Sequence, residues 1–293
     1  MKPITVFTPT YNRAYCLHQL YDSLVRQTSP DFIWMIIDDG STDETKTLVE
    51  SWKAQNKIEI DYVFQQNQGM HGAHNTAYTR IQTEFNTCID SDDYMPDDAI
   101  AVIVENTRNL DPKFAGIVGL DIDKSGKIMG EKMPDNLTES TLTDLYNVHG
   151  AHGDKKLVYR TEVVRKYPPY PLFKGENFVP LGTLYAMIDR DYLLKPINKP
   201  LVVVEYLADG SSRNILRQYR KNPRGFAYAR LKKIESNRGL KEKFISAVHL
   251  VSSAIFTKDF SLLAQARKPL LIAAALPFGL LLNLYIRNKT AAQ

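Results

Sequence analysis

Asn86-Thr87-Cys88-Ile89-Asp90-Ser91-Asp92-Asp93 is the stretch on which the reading of this chain turns. Apolar and β-prone residues run straight into carboxylates at 90, 92 and 93. A strand that ends in clustered acids delivers negative charge to one point at the edge of a sheet. Such charges repel one another and resist desolvation. They persist where a cation neutralises them, and an oxygen-only donor set suits a hard divalent ion such as Mg²⁺ or Mn²⁺. That ion can in turn hold a diphosphate. The competing reading is a polar turn followed by a helix N-cap, since acids favour first turns. Asp93, Asp97 and Asp98 are read that way; Asp90 and Asp92 are read as a metal–nucleotide pair.

Upstream of this stretch, strand-like and helix-like segments alternate. Ile4–Thr8 is a short apolar strand, and Arg13–Gln27 has helical spacing with Leu17, Leu20, Leu24 and Val25 on one face. Phe32–Asp38 is a second strand, and Ser41-Thr42-Asp43-Glu44 matches a capping box that opens a helix through Trp52. Ile58–Phe64 is a third strand, Met70–Ile81 a helix and Phe85–Asp90 a fourth strand; Pro96 opens a helix through Asn106. This βαβα order predicts a Rossmann-like, mostly parallel sheet flanked by helices, with ligands at the carboxyl ends of strands. Three such ends carry suggestive residues: Pro9 to Asn12, Asp38 to Ser41, and Asp90 to Asp93. Further on, Phe114–Gly119 and Leu201–Tyr206 read as strands, Leu181–Arg190 as a helix, Lys124–Lys127 as a hairpin turn and Tyr167–Pro171 as a stiff loop.

The 293 residues are 44% apolar and 24% charged, ordinary for a globular protein. Cys16 and Cys88 offer neither zinc spacing nor a disulfide framework, which suits a reducing cytoplasm. The run after Met1-Lys2-Pro3 is too short for a secretory h-region. The net charge of +4 is uneven: Arg213 to Lys243 holds eleven Lys/Arg against Glu235 and Glu242, a local +9, so the remainder sums to −5. Aromatic and aliphatic residues interleave this basic block, a pattern of membrane-surface segments. Beyond it, Pro269–Ile286 carries no charge and is flanked by Arg267-Lys268 and Arg287. As a helix it would reach about 27 Å, close to a bilayer core. Pro277 and Gly279 interrupt its middle, so the expectation is a broken helix lying in the cytoplasmic leaflet, ahead of a true span or a buried core helix.

Four segments in order, TPTYNR (8–13), IIDDGSTD (36–43), NQGMHGAHN (67–75) and CIDSDDYMPDD (88–98), resemble the nucleotide-binding half of family-two glycosyltransferases of GT-A fold. The likeness continues more loosely through GENF (175–178), EYLADGSS (205–212) and NPRGFA (222–227), similar to bacterial members that build capsule, exopolysaccharide or O-antigen units. It implies a nucleotide-sugar-binding half at 1–110, an acceptor-binding half at 111–212, and a basic helical region with an apolar membrane-associated tail at 213–293. Thr8, Pro9 and Tyr11 would line the base pocket, and Asp39 would accept the uracil imide N–H. Asp38 would stabilise the turn. The loop with Asn67, Gly69 and Asn75 would lie across nucleotide and diphosphate. Many relatives end this loop in Ala-Arg-Asn, whereas this chain has Ala73-His74-Asn75 and so lacks that cation. Helix packing or a hydrogen bond to the donor, rather than metal ligation, is the expected fate of His71 and His74. Asp92 would ligate Mn²⁺ or Mg²⁺, with Asp90 on the ribose or reaching the ion as well.

An inverting transfer needs a general base outside the nucleotide half. In the GENF segment relatives often carry Glu-Asp, with the Asp as base. This chain has Glu176-Asn177, and Asn177 cannot take a proton, so Glu176 is the candidate, its alternative being a loop ion-pair partner. Glu205 and Asp209 are weaker alternatives. The expected function is metal-dependent transfer of a monosaccharide from a nucleotide-sugar, a UDP-sugar in the first instance, to a lipid-linked saccharide. The enzyme would sit peripherally on the inner face of the cell membrane, with no nucleic-acid partner. The alternatives are a catalytically degenerate scaffold, or a nucleotidyltransferase, for which the glycine-rich basic loop is missing.

Overall fold

A computed structural model describes residues 2–204, 215–236 and 239–291. The chain divides into two compact units, Met1–Pro169 with Asp191–Leu207, and Tyr170–Arg190 with Ala208–Gln293. The first unit contains β1 (Ile4–Thr10), α1 (Ala14–Val25), β2 (Phe32–Asp38), α2 (Thr45–Gln55), β3 (Ile60–Phe64), α3 (Gly69–Arg80), β4 (Phe85–Cys88), α4 (Ala99–Thr107), β5 (Phe114–Ile122), α5 (Leu142–Asn147), β6 (Lys155–Arg160), α6 (Thr161–Val164) and β7 (Leu193–Val203).

These strands form one sheet in the order β3-β2-β1-β4-β6-β5-β7. All neighbours run parallel except β6, which is antiparallel to both β4 and β5. β1 is buried along its whole length, as an interior parallel strand covered on both faces must be. On one face Tyr21 of α1 stacks on Trp52 of α2, centroids 4.4 Å apart and 7° from coplanar, with Trp34 of β2 beside them at 5.7 Å from Trp52. On the other face Phe7 meets His74 and Tyr78 of α3 edge-on, at 5.0 and 5.5 Å. The chain turns outward from β1 to β2 and β3, then returns to place β4 on the other side of β1. That reversal is a topological switch point, where a crevice opens at the carboxyl ends of the strands.

Several expectations are adjusted. The capping box does not form: Glu44 caps nothing, and Asp43 Oδ1 instead accepts the Thr45 N–H and hydroxyl at 3.1 and 2.6 Å. Ser41 is drawn away to the loop after β1. The hairpin turn at 124–127 is present, with the Gly126 N–H donating to the Asp123 carbonyl at 2.9 Å. β6 and α5 were not foreseen, and β7 starts at Leu193, well before Leu201. Residues 205 and 206, assigned to that strand, lie outside the described residues, as does EYLADGSS with Glu205 and Asp209.

The second unit is helical: α7 (Gly182–Ile188), α8 (Ile215–Lys221), α9 (Pro223–Ser236), α10 (Leu240–Thr257), α11 (Ser261–Gln265) and α12 (Pro269–Thr290). Segment 170–190 belongs here and not with the sheet, so the unit boundary cuts through the expected 111–212 half. α9, α10 and α12 share a core of Ala227, Leu231, Ile234, Leu250, Val251, Ile272 and Ala275. α12 is continuous through Pro277, contrary to the expected break. Pro277 lies on the exposed side and removes one backbone bond, to the carbonyl of Ala273, which is also exposed.

Candidate active site

The loops leaving β1 and β2 are stitched together before any ligand is considered. Asn12 sits in the left-handed region at φ 53°, which suits Asn among side-chain-bearing residues. There its Oδ1 accepts the N–H groups of Thr42 and Asp43 at 2.8 and 3.3 Å, while its own N–H donates to Ser41 Oγ at 2.9 Å. Asp38 braces the turn as expected, accepting the Ser41 N–H at 2.8 Å and the Tyr62 hydroxyl at 2.6 Å.

Asp39 is buried, and its N–H donates to the Thr10 carbonyl at 2.8 Å. Its Oδ1 accepts from Gln65 Nε2 at 2.7 Å and the Gln68 N–H at 2.9 Å; its Oδ2 accepts the Gly69 N–H at 2.8 Å. Burial raises its pKa against these bonds, which lower it. The carboxylate therefore fixes the start of α3. Gly40 lets this loop close: its φ is +89°, and a Cβ there would stand 3.0 Å from the Asn67 backbone nitrogen.

Asp90 and Asp92 lie half-buried just past the end of β4, and Asp93 is buried. The Asp93 N–H donates to the Asp90 carbonyl at 3.1 Å, closing the turn between them. Beneath the turn is a cation that the sequence reading missed. Lys156 of β6 donates from Nζ to the Cys88 carbonyl at 3.2 Å. Burial works against its charge, yet Asp121, Asp90 and Asp93 together raise its pKa. Burial lifts Asp121 itself to about 6, against the pull of Lys156. A second missed cation is Arg13. Burial raises the Cys16 thiol, the Arg13 charge lowers it and the Asp92 charge raises it, so both charges bear on one buried group. Arg13 was visible in TPTYNR but given no role; Lys156 was hidden because β6 was not recognised.

Among the described residues no three His, Cys, Asp or Glu side chains form a ready-made metal cage. Two carboxylates at an open strand end still fit Mg²⁺ or Mn²⁺. These ions are commonly held by one or two carboxylates plus substrate phosphates, not by all-protein cages.

The remaining expected residues fall into distinct places. Thr8 is fully buried and its hydroxyl accepts from Trp34 Nε1 at 3.0 Å. Strand alternation turns it into the core, so it does not line a pocket with its side chain. Pro9 is buried on the α3 side, whereas Tyr11 is 50% exposed beyond the strand end. Asn67 is exposed, Gly69 opens α3 at φ +78°, and Asn75 is half-buried on α3. His71 and His74 are buried, with burial lowering both to a pKa of about 4. His74 donates from Nδ1 to the Met70 carbonyl at 2.9 Å, the packing role expected of it.

Glu176 belongs to the second unit. Its Oε1 accepts the Arg224 N–H at 3.0 Å and its Oε2 the Gly225 N–H at 2.9 Å, in the first turn of α9. A helix N-terminus is a favourable seat for a carboxylate. Asn222 Oδ1 accepts the Asn177 N–H at 3.0 Å, and a Cβ on Gly225 would stand 2.1 Å from the Phe178 carbonyl oxygen. GENF and NPRGFA, read separately in the sequence, are therefore two halves of one joint.

A mostly parallel sheet of this order, with acids gathered at the ends of its second and fourth strands, defines a GT-A fold. The chain belongs to glycosyl transferase family 2, whose profile matches residues 5–167. It is 30% identical over 174 residues to an uncharacterized glycosyltransferase of Nostoc sp., covering 57% of this chain and 53% of that one. It is 28% identical over 134 residues to the GalNAc(5)-diNAcBac-PP-undecaprenol beta-1,3-glucosyltransferase of Campylobacter jejuni, covering 45% and 42%. The match thus spans about half or less of these relatives. Staphylococcus aureus TarS 1–349 in complex with UDP-GlcNAc superposes with a TM-score of 0.59 at 19% identity, over 94% of this chain and 80% of that one. A mannosyltransferase of Pyrobaculum calidifontis in complex with GDP-Man and Mn²⁺ gives 0.57 at 19%, over 96% and 87%. At such identity the likeness establishes the fold.

Proposed function

We propose that this chain transfers a monosaccharide, with inversion, from a UDP-sugar to a hydroxyl of a lipid-linked saccharide, in the assembly of capsule, exopolysaccharide or O-antigen. The observation that carries the reading is the pair Asp90 and Asp92, half-buried at the switch point beside the braced loops after β1 and β2. The UDP-GlcNAc held by TarS and the undecaprenol-linked saccharide in the name of the Campylobacter relative support the donor and acceptor classes.

In this reading Asp39 and the Asn67–Asn75 segment hold the nucleotide, with Pro9 and Tyr11 at the base and Asp90 at the ribose. Asp92, joined by Asp90, holds Mn²⁺ or Mg²⁺, which when bound neutralises charge on the departing diphosphate. Arg13 supplies the permanent cation that His74 does not. Glu176 takes the proton of the acceptor hydroxyl: each of its oxygens accepts one N–H and keeps a second lone pair. The enzyme sits peripherally on the cytoplasmic face of the membrane, where a lipid-linked acceptor is found.

A second reading, an inert scaffold, is favoured by Asn177 and by the anchoring of Glu176 to α9. Calorimetric titration of UDP with and without Mn²⁺ separates the two. Transfer predicts Mn²⁺-dependent UDP binding that Asp92→Ala abolishes without lowering Tm, together with slow UDP release from a UDP-sugar. Equal UDP binding by wild type and Asp92→Ala would remove the metal assignment.

A further inference from the structure

From Leu270 to Tyr285 the outer surface of α12 is apolar on every side, and one seam of the helix is buried. Ile272, Ala275, Gly279, Asn283 and Ile286 are buried, spaced three or four residues apart. The seam lies on α10. A Cβ on Gly279 would stand 2.4 Å from Val251 Cβ, so the two backbones approach closely there. Asn283 Nδ2 donates to the Ser252 carbonyl at 3.1 Å inside the contact. Everything else from Leu270 to Tyr285 that faces outward is apolar, including Leu270 at 86% exposure, Phe278 at 54% and Leu281 at 65%. A soluble monomer rarely exposes a contiguous patch of this kind.

Charge frames that surface. Arg267 and Lys268 precede α12, Arg287 and Lys289 sit in its last turns, and all four are exposed. Arg220 of α8 donates to the Thr290 carbonyl and hydroxyl, each at 3.0 Å. This contact seats the basic helix α8, with Arg217 and Lys221, at the carboxyl end of α12. No Asp or Glu occurs after Asp259. Part of the basic block and the apolar tail, separate in the sequence, therefore form one surface.

We infer that α12 is an in-plane membrane anchor: its outer face enters one leaflet, its basic ends and α8 contact anionic headgroups, and its seam stays on α10. This rests on, and sharpens, the membrane location proposed above. A helix paired with a second copy would cover one more seam and leave most of the apolar circumference wet. A span would have to strip α12 from α10, leaving the Asn283 amide without its partner in hydrocarbon. Otherwise it would draw α10 in, with Lys241, Glu242 and Lys243 in its first turns. An in-plane helix keeps both cationic ends at headgroup level and buries its apolar face about 5–10 Å deep.

Co-sedimentation of the full chain with phosphatidylcholine vesicles, with and without phosphatidylglycerol, tests the inference. Binding to the anionic vesicles is expected, weakened by salt, and reduced about tenfold or more by Phe278→Asp with Leu281→Asp. Calorimetric Mn²⁺–UDP binding by that double variant should match wild type, since neither residue is near the nucleotide site in sequence. Depth is read by brominated-lipid quenching of Leu270→Trp and Leu284→Trp, against the buried background of Trp34 and Trp52. Equal depths are expected; a difference approaching about 21 Å, the axial rise between the two positions, means a span and overturns the inference. Absence of vesicle binding overturns it too, as does a dimer that the double Asp variant dissolves. Loss of UDP binding with vesicle binding intact would defeat the transferase reading and leave the anchor standing.

Discussion

Lys156 is the charge that lets Asp90, Asp93 and Asp121 share one corner of the sheet. Asp121 Oδ1 is buried with no hydrogen-bond partner among the described residues, so compensation there is electrostatic. Lys156→Met keeps the stem and removes the charge. Breaking a buried ion group by removing one partner costs about 3–5 kcal/mol. The variant should therefore melt well below wild type without metal, and Mn²⁺ should raise its Tm by more than it raises that of wild type, because the metal replaces the lost cation. Scanning fluorimetry with and without Mn²⁺ checks this; identical Mn²⁺ shifts in the two proteins would deny Lys156 the role. Glu176 carries two duties that one substitution separates. Glu176→Gln leaves a single acceptor oxygen for two backbone N–H groups, so Tm should fall by a few degrees. As the base, it should also lose about 10²-fold or more in kcat with KM nearly unchanged. A lower Tm with wild-type kcat would leave Glu176 an anchor only.

Among the elements, those with local signals were legible. β1 and β2 read as apolar runs because parallel interior strands are buried on both faces, the edge strand β3 read from its β-prone residues, and α1 showed its helical face. β6 was not legible: it is antiparallel, wedged between β4 and β5, and it opens with Lys155 and Lys156, residues depleted from strands. Its Lys156 answers to Asp90, 66 positions earlier, a pairing that no local pattern announces. Thr8 was misplaced for a related reason. Its position in the strand was clear, but the phase that turns it toward Trp34 depends on which helices cover which face. For α12 the sequence conveyed apolarity but not the seam. Gly279 now has a definite role, and its sign can be tested. In an open helix Gly→Ala stabilises by about 1 kcal/mol. At Gly279 the added Cβ meets Val251 at 2.4 Å, so overpacking of about 1–3 kcal/mol should win. Gly279→Ala should then lower Tm; a higher Tm would mean that α10 and α12 are not held together there.

Across the whole molecule, buried imidazoles set the response to acid. His71 and His74 in the sheet unit and His249 in the helical unit are each lowered to a pKa of about 4, burial being the largest cause in all three. An unfolded histidine titrates near 6.5. Between about pH 6.5 and 4 the unfolded chain therefore binds more protons, and stability must fall as pH falls through that window. For fully buried His74 the loss could reach about 3 kcal/mol. Asp121 opposes this. Its folded pKa of about 6 lies above the unfolded carboxylate value, so its penalty is relieved as pH falls from about 6 toward 4. Asp39, also raised by burial, acts in the same direction as Asp121. Asp121 begins to take up its proton from about pH 7, so the carboxylates flatten the slope without reversing it, two of them against three imidazoles. The protein should accordingly be most stable above about pH 7 and lose Tm steadily from pH 6.5 to 4. His74→Asn keeps an N–H donor for the Met70 carbonyl while removing the titrating ring. It should lower Tm at pH 7.5, where the packing against Phe7 and Tyr78 is lost, yet shrink the gap to wild type at pH 4.5. Parallel Tm curves for the two proteins across that range would show that His74 is not a source of the acid sensitivity.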